Sequence, residues 1–171
     1  MKIFIEDLRA HREGIWAQGF WAITLYRFAH LRLKCRIPVV RQMWYVANRI
    51  ICKWTEVTTG IMLPETVTLG RRVQIEHFGG IIIHGQTVIG DDCIIRQGVT
   101  IGNNSRQPDF APHVGNRVEI GAGAKIIGPI TIGSDVAIGA NAVVITDVPD
   151  NCIAVGVPAT IKRRQVELCS K

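Results

Sequence analysis

A histidine stands where the most regular pattern in this 171-residue chain is interrupted. An aliphatic residue occupies every sixth position up to Ile75, and the pattern then resumes two positions late, at Ile83, with His77 inside the interruption. An imidazole ring titrates close to neutral pH, so a histidine released from regular packing can serve as a general acid or base. His77 is therefore the first candidate for chemistry.

The repeat itself predicts the elements that position this histidine. Neither the two-residue period of a strand nor the 3.6-residue period of a helix produces a spacing of six, and glycine often follows the aliphatic residue. One short strand plus one corner does produce it, and three such units close a coil whose aliphatic side chains stack in columns. Two unbroken runs carry the spacing: Ile83, Ile89, Ile95, Ile101, and then Val114, Ile120, Ile126, Ile132, Ile138, Val144.

On these residues the chain resembles the hexapeptide-repeat acyltransferases. The segments GRRVQIEH, GDDCIIRQGVTIGN and APHVGNRVEIGAGAKIIG are similar to small O-acetyltransferases of colanic-acid and capsular polysaccharide clusters. The segment GFWAITLYRFAH is similar to the last helix before the β-helix of serine acetyltransferases. The resemblance implies an all-β, left-handed parallel β-helix over residues 59–164, a short α-helical region over 1–58 and a tail over 165–171. It also implies a homotrimer that holds acetyl-CoA between neighbouring β-helices.

The same resemblance assigns roles to individual residues. His77 falls at the position of the catalytic histidine, which takes the proton of an acceptor hydroxyl as that hydroxyl attacks the thioester of acetyl-CoA. No metal is expected. The residues implied for the acceptor site are Glu76, Phe110 and His113. Those implied for acetyl-CoA are Gly102, Asn103, Ala122, Ala140 and Thr146, then Thr160, Lys162, Arg163 and Arg164, whose cations would meet the nucleotide phosphates.

The polar segment 103–112 is expected to protrude as a loop toward a neighbouring subunit. The spacing from Ile101 to Val114 is thirteen positions, which we interpret as one more than two repeat units. Long loops in compact folds are usually functional or disordered, and the regular placement of this one favours function.

Two departures from serine acetyltransferases decide the expected acceptor. Met62 stands where that family carries an aspartate that orients the histidine, and Phe110-Ala111 stand where it carries an Arg-His pair. A bidentate arginine is hard to replace as the partner of a carboxylate. We therefore expect a sugar hydroxyl, in surface or exopolysaccharide biosynthesis, with serine O-acetylation for cysteine synthesis as the alternative. Glu76 or a backbone carbonyl remains as the partner that would orient His77.

Two other classes of protein share this fold. A γ-type carbonic anhydrase would bind zinc through three histidines, and His77 and His113 have the spacing of two of them, but Val118 occupies the third position. A non-catalytic β-helix that serves only for assembly is the other alternative. His30 and His84 are expected to be structural.

The net charge of +6 lies entirely in residues 1–60, which hold ten Lys/Arg and four Asp/Glu. This distribution does not suit a nucleic-acid-binding surface. Basic, Trp-containing helices over residues 15–54 are typical of peripheral membrane contact as well as of ordinary core packing. The charged N-terminus suggests no signal peptide, and five scattered cysteines indicate reduced thiols, so a cytoplasmic protein is expected.

Overall fold

The computed structural model describes residues 2–32, 37–103 and 110–164. The N-terminal region contains α1 (Lys2–Ala10), one turn of 3-10 helix (Gly14–Trp16), α2 (Gln18–Leu31) and α3 (Pro38–Thr59). The sequence predicted two helices here, and α1 is an addition. Proline in the first turn of α3 and Gly60 after it, with a φ of 66°, suit a helix start and a helix end. In the described part of the chain, no helix is long and apolar enough to cross a membrane.

The rest of the described chain forms fifteen short strands in three sheets. Sheet 1 has the order β1-β4-β7-β10-β13, sheet 2 the order β2-β5-β8-β11, and sheet 3 the order β3-β6-β9-β12-β14-β15. All neighbouring pairs are parallel except β14 and β15. The strands are β1 (Ile61–Met62), β2 (Thr68–Leu69), β3 (Gln74–Glu76), β4 (Ile81–Ile83), β5 (Val88–Ile89), β6 (Ile94–Arg96), β7 (Thr100–Gly102), β8 (His113–Val114), β9 (Glu119–Ile120), β10 (Lys125–Ile127), β11 (Thr131–Ile132), β12 (Ala137–Ile138), β13 (Val143–Val144), β14 (Cys152–Val155) and β15 (Thr160–Arg163).

The predicted parallel β-helix of hexapeptide coils is confirmed. Each of the first four coils contributes one strand to each sheet, and in the regular part Lys125 pairs with Val143, eighteen positions later. The aliphatic residues of the repeat are buried in columns, as the spacing predicted. Glycine follows them because adjacent coils approach closely: a Cβ on Gly90 would lie 2.6 Å from the carbonyl oxygen of Gly115 in the next coil.

A second buried column, which the sequence pattern did not reveal, lies two positions before the first. Its members vary in size and polarity, so they give no visible period. Burial of Cys93 in this column raises the pKa of its thiol to about 11, which keeps the thiol protonated and unreactive. The column comprises Val67, Val73, Ile81, Thr87, Cys93, Val99, Val118, Ala124, Ile130, Val136 and Ala142.

The register of the strands locates both irregularities of the repeat. Gln74 pairs with Ile94, twenty positions later, so the first coil has two extra residues, which confirms the interruption beside His77. Thr100 pairs with Lys125, twenty-five positions later, so seven residues are inserted before β8. The interpretation of thirteen positions as one more than two repeat units was therefore wrong, because Ile101 and Val114 lie on consecutive sheets and six positions separate such residues. Residues 104–109 of the expected loop lie outside the described residues, as does the tail 165–171.

The helical region covers the open end of the first coil. This coil has no coil above it, so its backbone polar groups would otherwise lack partners. Side chains of α2 donate hydrogen bonds to four of its carbonyl groups, which fixes α2 on the β-helix. The contacts are Tyr26 Oη to Val67 O (2.5 Å), Arg27 Nη1 to Leu69 O (2.9 Å), Arg27 Nη2 to Gly70 O, and His30 Nδ1 to Glu65 O (2.8 Å).

A buried histidine and a buried carboxylate attach α1 to the same end. His11 accepts a hydrogen bond from the Ile75 N–H on Nε2 (3.3 Å) and donates one from Nδ1 to the Asp7 carbonyl (2.8 Å). The Asp7 carboxylate, in a residue only 1% exposed, accepts a hydrogen bond from Arg27 Nε (3.1 Å). Arg27 therefore joins α1, α2 and the first coil.

Candidate active site

His77 directly follows β3, at the corner where the chain leaves sheet 3. Its backbone has a φ of 64°, in the left-handed region, and the residue is exposed. Few residues other than glycine adopt this conformation, although histidine does so more often than most. Gly79 and Gly80 follow with φ values of 104° and 67°. The two extra residues of the coil thus form a tight corner from which the imidazole leaves the strand packing.

The corner lines a cleft of about 700 Å³ between the end of β3 and the connection from α1 to α2. This volume is typical of ligand sites. Residues 11–13, 16–19 and 74–78 line it, and two aromatic residues on it are largely exposed, Trp16 (82%) and Phe78 (53%). Only Glu76 and His77 of this set were predicted from the sequence. The others were missed because no linear pattern connects the α1–α2 connection to β3.

Glu76 forms an ion pair with an arginine of the neighbouring coil. Its carboxylate accepts a hydrogen bond from Arg96 Nε on β6 (3.0 Å). Among the described residues, no group hydrogen-bonds to the His77 ring, so neither Glu76 nor a backbone carbonyl orients the imidazole within that part of the chain. Met62, at the position of the missing aspartate, is exposed on β1. Glu76 is therefore present as an ion pair, and its acceptor-binding role stays a prediction.

Two of the predicted acetyl-CoA contacts share an edge of the β-helix with His77. We call the edge between sheets 3 and 1 the His77 edge; it comprises residues 76–80, 97–98, 121–123 and 139–141. Since neighbouring parallel strands lie about 4.8 Å apart, Ala122 and Ala140 are roughly 10 and 14 Å along this edge from the His77 corner. The corners are joined by hydrogen bonds of 2.8 Å, from Gly98 N to Gly79 O, Gly123 N to Gln97 O and Asn141 N to Ala122 O.

Three other predicted contacts lie on a different edge. Gly102 and Asn103 leave β7 at the edge between sheets 1 and 2, and Thr146 follows β13 at the same edge, two coils further on. The Gly128 N–H donates to the Gly102 carbonyl there (2.9 Å). A single chain therefore does not bring these residues together with Ala122 and Ala140.

The residues predicted to bind the phosphates of acetyl-CoA lie on both faces of β15. Thr160 and Lys162 pair with Val155 and Ile153 of β14, whereas Arg163 pairs with the buried Cys152. Because side chains alternate along a strand, Thr160 and Lys162 share the outer face and Arg163 lies on the other. Arg163 and Arg164 instead line a cavity of about 590 Å³ that includes residues 149–152. Their phosphate-binding role stays a prediction.

His113 and Phe110 lie away from His77 within the chain. His113 begins β8 in sheet 2, where it pairs with Val88 and Thr131, and Phe110 precedes it with 56% of its surface exposed. Ala111, between them, is buried. Their contribution to an acceptor site next to His77 would require a second chain and stays a prediction.

The remaining histidines have structural contacts. His30 is part of the cap on the first coil, and His84 Nδ1 accepts a hydrogen bond from the Gln86 N–H (3.4 Å). The described residues contain no group of three or more His, Cys, Asp or Glu side chains arranged for a metal ion, and Val118 is fully buried. The geometry of the described chain therefore gives the zinc alternative no added support.

Comparison with known proteins identifies acetyltransferases as relatives of this chain. The family described as bacterial transferase hexapeptide (six repeats) matches residues 111–146. A serine acetyltransferase of Mycobacterium tuberculosis is 43% identical over 160 residues, which are 91% of this chain and 70% of that protein. The putative colanic acid biosynthesis acetyltransferase WcaB of Escherichia coli is 40% identical over 163 residues, 92% of this chain and 98% of that protein. The match to a serine acetyltransferase of Synechococcus elongatus, at 37% identity, spans only 65% of the relative's length.

Solved structures agree with this result. Serine acetyltransferase from Neisseria gonorrhoeae superposes with a TM-score of 0.84 and 30% identity over 97% of this chain and 67% of that one. A serine acetyltransferase complex with CoA gives a TM-score of 0.80 and 31% identity over 94% and 68%. The match extends through the helical region as well as the β-helix.

Proposed function

This chain belongs to the hexapeptide-repeat acetyltransferases, and we propose that it transfers an acetyl group from acetyl-CoA to a hydroxyl group. The observation that carries the proposal is the placement of His77 on one edge with Ala122 and Ala140, beside an open cleft. Small residues along this edge leave room for an extended pantetheine chain, whose amides can pair with the backbone. The proposed use of acetyl-CoA fits the expected cytoplasmic location.

In the proposed reaction His77 acts as a general base. The acceptor oxygen attacks the thioester carbon while the imidazole takes the hydroxyl proton. The tetrahedral intermediate then collapses, the carbon–sulfur bond breaks, and the sulfur leaves with the proton that the imidazole carried. The products are an acetyl ester and CoA. No metal is needed for this balance.

For the acceptor, the relatives support serine better than the sugar hydroxyl that the sequence led us to expect. Most of the similar proteins and all of the similar structures named above are serine acetyltransferases. We therefore propose L-serine as the acceptor. The Arg-His pair that the resemblance places at 110–111 is absent, so another cation must bind the carboxylate, and Arg12 on the cleft is the candidate.

A sugar hydroxyl remains the second candidate because two observations favour it. WcaB is matched over nearly its whole length, whereas the serine acetyltransferases named above extend well beyond the matched region. The cleft also exposes the rings of Trp16 and Phe78, and flat aromatic surfaces can pack against a sugar ring.

Release of free CoA thiol distinguishes the two acceptors. We expect acetyl-CoA turnover with L-serine above the hydrolysis seen without acceptor, and mass spectrometry should identify O-acetylserine. Nucleotide-sugars and oligosaccharides are assayed in parallel, with D-serine as a control for stereospecific binding. Turnover with a glycan and none with L-serine would contradict the serine proposal and leave acetyl transfer intact.

We also propose a homotrimer, on the ground that the predicted acetyl-CoA contacts lie on two edges. In a groove between two chains, one bound molecule could contact Ala122 of one chain and Gly102 of the next. Gel filtration with light scattering should therefore give three times the 18.9 kDa of one chain. A stable monomer would contradict a shared groove.

Peripheral membrane contact through residues 15–54 is a proposal supported by an apolar stripe on α3. Six of its side chains, spaced three or four positions apart, are more than half exposed, and such patches usually mark a contact surface. The net charge of residues 1–60 favours anionic lipid. The same light-scattering sample should bind anionic but not zwitterionic vesicles, and failure to bind anionic vesicles would contradict the proposed membrane contact. Its residues are Val39, Met43, Val46, Ile50, Trp54 and Val57.

A further inference from the structure

Lys125 is a half-buried cation three residues after Ala122, a predicted acetyl-CoA contact. It begins β10 on the outer side of sheet 1, since the next residue, Ile126, points into the core. Its side chain extends back by one coil, where Nζ donates to the Gly98 carbonyl (2.6 Å) and to the Thr100 hydroxyl (3.0 Å). Among the described residues, no carboxylate forms a salt bridge with it.

These contacts place the ammonium group beside the His77 edge. Gly98 is the corner residue of the second coil, and its N–H donates to the carbonyl of Gly79, two residues after His77 (2.8 Å). Lys125 Nζ therefore lies about one coil step from the His77 corner, and Ala122 lies on the other side of it. Outward from Thr100, the same column of sheet 1 continues with Ile82 and Met62, which are apolar.

Within the part of the chain that the structure describes, one N–H donor of the Lys125 ammonium group has no partner. Lysine has three N–H donors, and the structure gives partners to two of them. A positive charge without a counter-ion, next to apolar side chains, interacts strongly with an oxygen that gains negative charge during a reaction. In acetyl transfer that oxygen is the thioester carbonyl oxygen, which carries the charge of the tetrahedral intermediate.

We propose that the third N–H of Lys125 binds the acyl oxygen of acetyl-CoA and stabilises its negative charge in the transition state. The distances are consistent with this. In the reacting complex the donor, the thioester carbonyl group, the attacking hydroxyl and the base follow one another. The donor and the base then lie roughly 8–10 Å apart. One coil step places the backbone of the His77 corner about 5 Å from Nζ, and the length of the exposed His77 side chain adds to this separation. The inference depends on the proposed acetyl transfer from acetyl-CoA, but not on which hydroxyl accepts.

Replacement of Lys125 by methionine tests the role, because methionine keeps an unbranched side chain and removes the charge. We expect kcat for acetyl transfer to fall by about 10²-fold, the lower end for loss of an oxyanion donor. The Kd for CoA, measured by calorimetry, should change little, because CoA lacks the acyl oxygen. Lys125→Arg should recover part of kcat, and Thr100→Val, which removes only a partner of the ammonium, should have a small effect.

A purely structural role gives a different result. If Lys125 only holds the corner at Gly98, Lys125→Met should lower the thermal midpoint and weaken CoA binding together, without a selective loss of kcat. That result, or a kcat within about threefold of the wild type, would overturn the proposal while acetyl transfer stands. A wild-type protein that releases no thiol with any acceptor would overturn the proposed function, and this inference with it.

Discussion

Replacing His77 with asparagine is expected to lower kcat/KM for acetyl transfer by roughly 10²- to 10⁴-fold, the range typical for loss of a general base. The amide cannot take the proton of the attacking hydroxyl, so the nucleophile stays weak. Asparagine is chosen because it tolerates the left-handed φ of 64° at this corner, whereas alanine would add backbone strain. Thiol release under initial-rate conditions measures the effect.

The matched control is His84→Asn, the same substitution at a corner outside the cleft. It should leave kcat/KM within about threefold of the wild type. Both variants should keep the wild-type thermal midpoint within a few degrees, which excludes misfolding as the cause. Near-normal turnover by His77→Asn would remove His77 from the mechanism.

The β-helix could be predicted because its main column repeats strictly along the chain. The interruption at His77 could be located from the same regularity, because two extra residues shift every later aliphatic residue of the repeat. The pairing of Gln74 with Ile94 shows these two extra residues in the structure. The inserted loop was miscounted because a spacing alone does not reveal which sheet receives the next strand. Only the register of Thr100 with Lys125 identifies seven inserted residues.

The rest of the site depends on contacts between distant segments, which a single sequence does not encode in any period. Trp16 and His11 reach the His77 cleft only because α1 and α2 fold back over the first coil. The link from Lys125 to Gly98 likewise crosses a coil of the β-helix. The sugar acceptor was expected because the Arg-His pair is missing at Phe110-Ala111, and the proposal of L-serine instead assigns its carboxylate to Arg12, which lies on the cleft.

The packing of α1 and α2 against the first coil also leads us to expect a large effect on stability, the largest of those predicted for this protein. Arg27→Met should lower the free energy of unfolding by about 3–5 kcal/mol, the range for breaking a buried ion pair by removing one partner. The Asp7 carboxylate would remain almost completely buried with no counter-ion, and its Oδ1 already lacks a hydrogen-bond partner among the described residues. The carbonyl groups of Leu69 and Gly70 would lose their donor as well.

The free energy is best measured from denaturant midpoints followed by circular dichroism at one protein concentration, because assembly shifts the apparent stability. Arg117→Met is the matched control. Arg117 forms its ion pair with Asp135 on the exposed surface of the β-helix, where solvent screens the interaction. The denaturant midpoint of Arg117→Met should therefore change little. Adding Asp7→Asn to Arg27→Met should restore part of the loss, since an amide is far easier to bury than an unpaired carboxylate. Equal midpoints for Arg27→Met and Arg117→Met would mean that α1 contributes little to the fold, and the side of the cleft formed by residues 11–13 would then be free to open.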